Sequence, residues 1–299
     1  MPENIQFRVG ESKLPQQRGR RWRSFKNHFA TFLALAGTSL VIAPLLAIFV
    51  YLIYKGASSL NLAFFLEDPK PVGVNGGGMA NAILGSGVLL GVASLIGIPI
   101  GIASGVYLAE FGRKRILSNL VRFTADVLNG VPSIVMGIAV YSLIVVPQQH
   151  FSAFSGGVAL GLMMIPTVTR TTEEMLLLVP HSIREAALGL GVPTWRSTIS
   201  ITLRTASAGI ITGCMLAFAR VAGETAPLLF TAFGNNDRSL ALNQPVAALP
   251  LQIFNYAISP YNDWHRLAWA GSLVLIVLIM ISVSLVRYVT SRGVLKGAS

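Results

Sequence analysis

Arg220 and Glu224 stand four residues apart in a stretch, Thr205 to Phe233, that holds no other charged residue. A guanidinium presents a planar fork of donors that fits the oxygens of an oxyanion. A carboxylate can only accept hydrogen bonds. Two readings follow. In one, the pair is an i,i+4 ion pair that locks a helix, although Arg before Glu is the weaker orientation. In the other, Arg220 faces a path along which an anion moves. The stretch would run about 43 Å as helix, against a hydrocarbon core of roughly 30 Å. Pro227 makes a continuous helix unfavourable, so a bend or unwound turn is expected near Gly223–Pro227. Arg220 lies about 24 Å up a helix from Arg204, and a buried Arg at that depth faces protein or a water-filled cavity. A lone locked pair gives no reason for a helix break beside it. Thr225, next to the pair, is a secondary candidate for the same path.

Other chemistry finds no foothold. His28, His150, His181 and His265 are scattered, with no metal-ligand spacing, so no metal site is expected. Cys214, the one cysteine, sits in an apolar run, where a thiol is usually inert packing. No nucleophile–base constellation is present. No G-x-x-x-x-G-K-[ST] motif occurs, and the glycines of VNGGGMAN (74–81) are followed by no Lys-Ser/Thr. If ATP is used, another chain hydrolyses it.

The elements that must position these residues are set by composition. Only 12% of the 299 residues are charged, about half the share of a soluble domain, and mean hydropathy is +0.64. Six apolar runs can cross a bilayer as helix: Thr31–Tyr54, Ala82–Ala109, Ala125–Val146, Gly156–Thr169 (running on toward Val179), Thr205–Ala219 and Leu267–Val286. The first is too long for the apolar core of a signal peptide and is expected to remain as a span. The net charge of +11 is a topology signal rather than a nucleic-acid footprint: of 23 Lys and Arg, 18 fall in alternate segments on one side, 4 on the other, and Arg220 lies between. Positive-inside logic places both termini and the 170–204 segment in the cytoplasm. Residues 1–28 then form a basic, mobile tail whose end lies against anionic headgroups, and residues 29–299 form the membrane domain. Residues 55–81 and 220–266 are expected outside, the latter with Tyr256, Tyr261, Trp264 and Trp269 at the membrane interface.

Three further features refine this layout. Gly97, Gly101 and Gly105, with Gly87 and Gly91 before them, make a small-residue stripe for close helix packing. DVLNGVPS (126–133) puts Asn129, Gly130, Pro132 and Ser133 at the start of the third span. A break there frees amides whose positive dipole end could face an anion, and a simple kink is the alternative. Arg170, Thr171 and Thr172 at the cytoplasmic end of the fourth span could line an exit. The plainer alternative is an interfacial Arg170 paired with Glu173 or Glu174.

Between the fourth and fifth spans lies SIREAALGLGVPTWRSTISIT (182–202). Glu185, Ala186, Ala187, Leu188 and Leu190 can form a short helix closed by Gly189, Gly191 and Pro193. Such a knob could insert into a groove on another protein or lie on headgroups. The segment REAALGLGVPTWRSTISITL resembles the EAA loop of ABC-importer permeases, with Arg204 where many members have Pro. GGMANAILGS (77–86), LNGVPSIVMGI (128–138), IPTVTRTTEEMLLLVP (165–180), AGETAPLLFTAFG (222–234) and LPLQIFNYAISPYNDWHRLAWAG (249–271) are similar to the phosphate-specific, PstA-type branch of that family, over nearly all of residues 76–287.

The resemblance implies an all-α, six-span type I ABC importer permease with a MetI-like fold, set in a bacterial inner membrane. It implies a cytoplasmic coupling helix around 181–196, in which Glu185, Ala186, Ala187 and Gly191 engage an ATP-binding subunit. It implies as partners a second phosphate permease subunit, two ABC ATPase subunits and an external phosphate-binding protein, with ATP and Mg held by the ATPases and no cofactor in this chain. Arg220 would then meet phosphate oxygens. Glu224 would accept a hydrogen bond from a phosphate that still carries a proton, or pair with an Arg of the second permease. Rival readings are a permease for sulfate or molybdate and an ion-gradient transporter. The latter would call for an internal repeat or a proton relay, neither of which is evident.

Overall fold

The computed structural model describes residues 20–71, 74, 76–112 and 116–296, and these are helical almost throughout. Residues 1–19 of the expected tail, and 113–115 of the basic segment after the second span, lie outside the described residues. The chain divides into two units, at Tyr51 and Leu52. The first contains most of α1 (Arg20–Ala57), whose residues 22–48 are all exposed. Trp22, Phe25 and Phe29 stack along it at 6.1 and 6.5 Å between centroids. The helix starts at Arg20, so the basic end of the expected tail is helical, because RRWRSFKN contains no breaker and runs directly into the apolar run.

The second unit continues through α2 (Leu62–Leu66) and α3 (Ala80–Val106, extended by a π-helical turn at Tyr107–Phe111). Next come α4 (Ile116–Gly130), α5 (Ser133–Val140) and, after a π-turn at Tyr141–Val145, α6 (Val146–Gln148). Then follow α7 (Ala153–Leu177), α8 (His181–Gly189) and α9 (Thr194–Ser197), which passes through a π-turn at Thr198–Thr202 into α10 (Leu203–Ala222). Last are α11 (Ala226–Thr231), α12 (Leu249–Ala257) and α13 (Asn262–Lys296). Among the described residues four helical stretches are long and apolar enough to cross a membrane: Trp22–Ala57, Ala80–Phe111, Thr194–Ala222 and Asn262–Tyr288. A fifth arises if the bent pair Ile116–Gly130 and Ser133–Gln148 counts as one span. The remaining expected span is α7, whose C-terminal third carries Arg170, Glu173 and Glu174.

The centre of the unit is the pairing of α3 with α7. A Cβ added at Gly97 would lie 2.7 Å from Met164 Cβ, at Gly101 2.6 Å from Val168 Cβ, and at Gly105 2.5 Å from Thr172 Cβ. Only hydrogen fits at these three positions, so the stripe read from the sequence is the seam of the two helices. Gly87 and Gly91 are not part of it. Both are exposed, with nothing within 4 Å of an added Cβ, because they fall on another face of α3. Leu89, Leu160, Met164, Val168, Leu176, Ile210, Val221 and Leu228 form the apolar core around the seam.

Two expectations change. The third span does not begin at Ala125 as one run. Residues 116–130 form the separate helix α4, and the chain turns by 108° before α5. The α4 sequence is amphipathic at helical period. Ile116, Leu120, Phe123 and Val127 are exposed, while Ser118 is buried and Arg122 reaches α7. A search for unbroken apolar runs passes over such a pattern. Nor is 220–266 a peripheral external segment. Pro227, Leu228 and Thr231 of α11 and residues Val246–Leu251 are buried, Pro227 lies directly against Gly137 of α5, and the Leu249 amide donates to Ser86 Oγ at 2.7 Å. APLLFTAF and PVAALPLQIF are apolar enough to pack into the protein rather than lie on its surface. Tyr256, Tyr261 and Trp264 do cluster, with ring centroids 4.7 and 5.6 Å apart.

Candidate functional site

α10 stops where its sequence runs out of helix-compatible residues. Gly223 caps it, its amide donating to Arg220 O at 3.3 Å, and Glu224 N–H donates to Val221 O at 3.1 Å. Three residues later Pro227 stands in the first turn of α11, where its missing N–H costs nothing. The expected break is therefore at Gly223–Thr225. Arg220 lies in the last turn of α10 and is exposed. Among the described residues its guanidinium makes no hydrogen bond or ion pair, so the locked i,i+4 pair with Glu224 is not formed. Glu224 is half-buried and faces a small cavity lined by Ser86, Leu90, Leu160, Ala222 and Pro250. The two charges sit side by side at a helix break without neutralising each other.

Arg170 is placed otherwise. Its Nε donates to Glu174 Oε1 at 2.8 Å in an i,i+4 pair, both side chains about half exposed, which is the plainer of the two arrangements read from the sequence. Its neighbour Glu173 is buried and accepts from Arg122 of α4 at 2.8 Å, leaving its second oxygen without a partner. At the α4–α5 turn Asn129 Oδ1 accepts weakly from Thr167 Oγ1 (3.4 Å), Gly130 faces open space, and Ser133 opens α5 behind Pro132. The structure brings Asn129 to α7, and makes the turn a sharp corner rather than a slight kink.

The expected coupling helix is α8. It ends in a Schellman motif: Val192 N–H donates to Ala187 O (3.1 Å) and Gly191 N–H to Leu188 O (2.9 Å), with Gly191 at φ +77°, a conformation glycine adopts without cost. Glu185 and Ala186 are exposed, whereas Ala187 is buried. Leu188, Leu190 and Trp195 are 51, 84 and 60% exposed. That is an apolar projection with a carboxylate beside it, shaped to meet another surface. Sequence reasoning missed what holds it. Arg184 donates from Nη2 to Glu110 Oε1 at 2.7 Å, and from Nη1 and Nη2 to Val179 O and Leu176 O, each at 2.7 Å. Its signal in the sequence was an acidic residue, Glu110, closing an apolar span in a segment otherwise rich in Lys and Arg.

The guanidinium of Arg220 is thus exposed at a break in an apolar helix, with no counter-charge among the described residues. A family model described as binding-protein-dependent transport system inner membrane component matches residues 97–293. The phosphate transport system permease protein PstA of Yersinia pestis is 46% identical over 91% of this chain and 92% of its own length. Its namesake from Xylella fastidiosa is 50% identical over 77% and 80%, and that of Haemophilus influenzae 44% over 87% and 92%. Among solved structures, a chain of the MetNI methionine ABC transporter in an inward-facing conformation matches with a TM-score of 0.55 at 18% identity, covering 72% of this chain and 95% of its own, a likeness of fold. The chain belongs to the inner-membrane components of binding-protein-dependent transport systems, in the PstA branch of that family.

Proposed function

We propose that this chain is one of two permease subunits through which inorganic phosphate crosses the inner membrane inward by alternating access, with both of its termini in the cytoplasm. The substrate is inferred from the PstA relatives. The observation that carries the pathway is the guanidinium of Arg220, exposed and without a protein counter-charge at the break between α10 and α11. In this reading the second permease closes the other wall of the cavity, Arg220 meets the phosphate oxygens, and Glu224 accepts a hydrogen bond from the P–O–H that hydrogen phosphate carries and sulfate at neutral pH does not. Discrimination then comes from leaving sulfate against an unpaired carboxylate. Thr225, the Arg170 region and the Asn129–Ser133 corner border the same route.

The energy is supplied outside the chain. Two ABC ATPase subunits, holding ATP and Mg, grip the projection formed by Glu185, Ala186, Leu188, Leu190 and Trp195, and an external binding protein delivers phosphate when the opposite side is open. The pathway binds weakly, since a tight site would trap the anion. The test is ATP-dependent uptake of labelled phosphate into proteoliposomes that hold this chain, its sister permease and its ATPase, with binding protein outside and sulfate in excess. Uptake that resists sulfate is the expected result. An assembled, ATP-hydrolysing complex that takes up no phosphate overturns the substrate, and sulfate and molybdate would then be the anions to supply.

A further inference from the structure

Helix α8 is short, and its outer face is free. Besides the chain connections at its two ends, it is attached through buried Ala187, through partly buried Ile183, packed against the main core, and through the hydrogen-bonded side chain of Arg184. That guanidinium joins three elements. Nε lies 3.0 and 3.3 Å from the two oxygens of Glu110, and Nη2 lies 2.7 Å from Oε1, a fork-on-carboxylate geometry. Its remaining donors reach the carbonyls of Leu176, in the last turn of α7, and of Val179, just beyond it. The side chains of Arg184 and Glu110 are only 15% and 8% exposed.

A cap on α7 alone would need no carboxylate. A buried ion pair is not stabilising merely by being buried, because desolvating both charges offsets much of their attraction. Glu110, moreover, sits in the π-helical turn that ends α3, an uncommon geometry frequent at functional sites. What the pair does is fasten α8 to the ends of α3 and α7 at once. Those two helices meet along the Gly97–Gly101–Gly105 seam, where nothing can slide without backbone moving. Arg184 points inward and its neighbour Glu185 outward, so force applied to the outer face of α8 reaches the end of α3 through Arg184, and reaches α7 both through Arg184 and along residues 178–180. On its other side the same segment runs through α9 and a second π-turn into α10, the helix that ends at Arg220.

We propose that the Arg184–Glu110 pair is the link that transmits movement of α8 to the α3–α7 pair, with Arg184 as a positioning residue for transport. This deepens the proposed function and rests on its assignment of α8 to an ATPase.

The test uses the full reconstituted complex carrying Arg184→Gln, Glu110→Gln, both together, or Glu110→Asp, which keeps the charge but shortens its reach. Three quantities are read on assembled complex: basal ATP hydrolysis, its stimulation by loaded binding protein, and phosphate moved per ATP. Arg184→Gln is expected to keep basal hydrolysis within about twofold and to lose stimulation, with phosphate per ATP falling at least about tenfold. Glu110→Gln should do the same, and the double variant no worse than either, since the two act as a unit. Glu110→Asp should fall between, at unchanged melting temperature. Should Arg184→Gln fail to assemble, the two Glu110 variants decide the matter. Wild-type stimulation and phosphate per ATP in assembled variants, or additive losses in the double, overturn the proposal. A wild-type complex that binding protein stimulates but that moves no phosphate defeats the substrate assignment instead, and the link is then judged on stimulation alone.

Discussion

Replacing Arg220 by Gln separates a residue that serves the fold from one that serves the substrate. Arg220 is exposed and its guanidinium, among the described residues, has no hydrogen bond or ion pair, so its removal leaves no buried charge uncompensated. The change in folding stability should stay within about 0.5 kcal/mol. A charge-assisted hydrogen bond to an anion contributes about 1.5–3 kcal/mol. At about 1.4 kcal/mol per factor of ten, losing one on the path lowers the initial rate of phosphate uptake by roughly ten- to 150-fold. Arg220→Lys, which keeps the charge but not the fork, should lie between. The assay is initial uptake in proteoliposomes, beside thermal melting of the same purified complex and binding-protein-stimulated hydrolysis as a control for coupling. Because Arg220 and Glu224 do not pair, Arg220→Gln and Glu224→Gln should show no mutual coupling in stability. Uptake within about threefold of wild type at intact coupling would refute a pathway role. A melting temperature lowered by many degrees, with uptake lost only in proportion to folded complex, would make Arg220 a structural residue of the interface with the second permease.

Three other consequences can be checked directly. Gly101→Ala brings a Cβ within 2.6 Å of Val168 Cβ and should destabilise the chain by about 1–3 kcal/mol in detergent melts, whereas Gly91→Ala, with nothing within 4 Å, should cost nothing; equal behaviour of the two would dissolve the seam argument. Leu190→Asp, at an 84% exposed position, should leave melting unchanged but weaken ATPase binding in pull-down with the purified subunit, and unaltered binding would remove Leu190 from the docking surface. The Glu67 carboxyl is held below the ordinary carboxylate range by hydrogen bonds with Lys70 Nζ (2.7 Å) and the Gly77 amide (3.2 Å). A lowered folded pKa means the loop's order is present at neutral pH and is lost as pH falls through that value. Protection of the Gly77 amide against hydrogen exchange should therefore hold through the ordinary carboxylate range and decline only on acidification below it, and Glu67→Gln should abolish the dependence.

What could be read from the sequence was set by the range of the interactions. Apolar runs located α3, α10 and α13 because a span needs only its own residues to be long and apolar. The Gly97–Gly101–Gly105 stripe announced a seam because its spacing is local. The turn at Gly223–Thr225 followed from Pro227 alone. The corner before α5 was read at the right residues, but α4 escaped because its signal is a period rather than a run. The buried α11–α12 insertion escaped because a loop between spans was taken to be outside, whatever its apolarity. The ion pairs of Arg184 with Glu110 and Arg122 with Glu173 join residues distant in the chain, and no local pattern pairs them. Only the packing of α3 on α7 brings both carboxylates to the end where α4 and α8 present their arginines.

These two kinds of information meet in one helix. The segment from Thr194 to Ala222 counts as a single apolar stretch, of about 43 Å at helical rise. It begins beside Trp195, which is 60% exposed, and ends beside the exposed Arg220, the residues that the proposed function gives to the ATPase and to the anion. Against it stands the α3–α7 pair, held to α8 by Arg184. A pull on the projecting segment therefore reaches the two walls by different routes, along the chain through α9 into α10, and through residues 178–180 and the Arg184–Glu110 pair into α7 and α3. The two walls also touch, with Met175 of α7 packed on Gly209 and Thr171 on Gly213 of α10. The alternating access proposed above requires two bodies driven from one handle; in that proposal α8 is the handle, its links to α10 and to the α3–α7 pair are the two connections, and Arg220 is a cation at the far end of one of them.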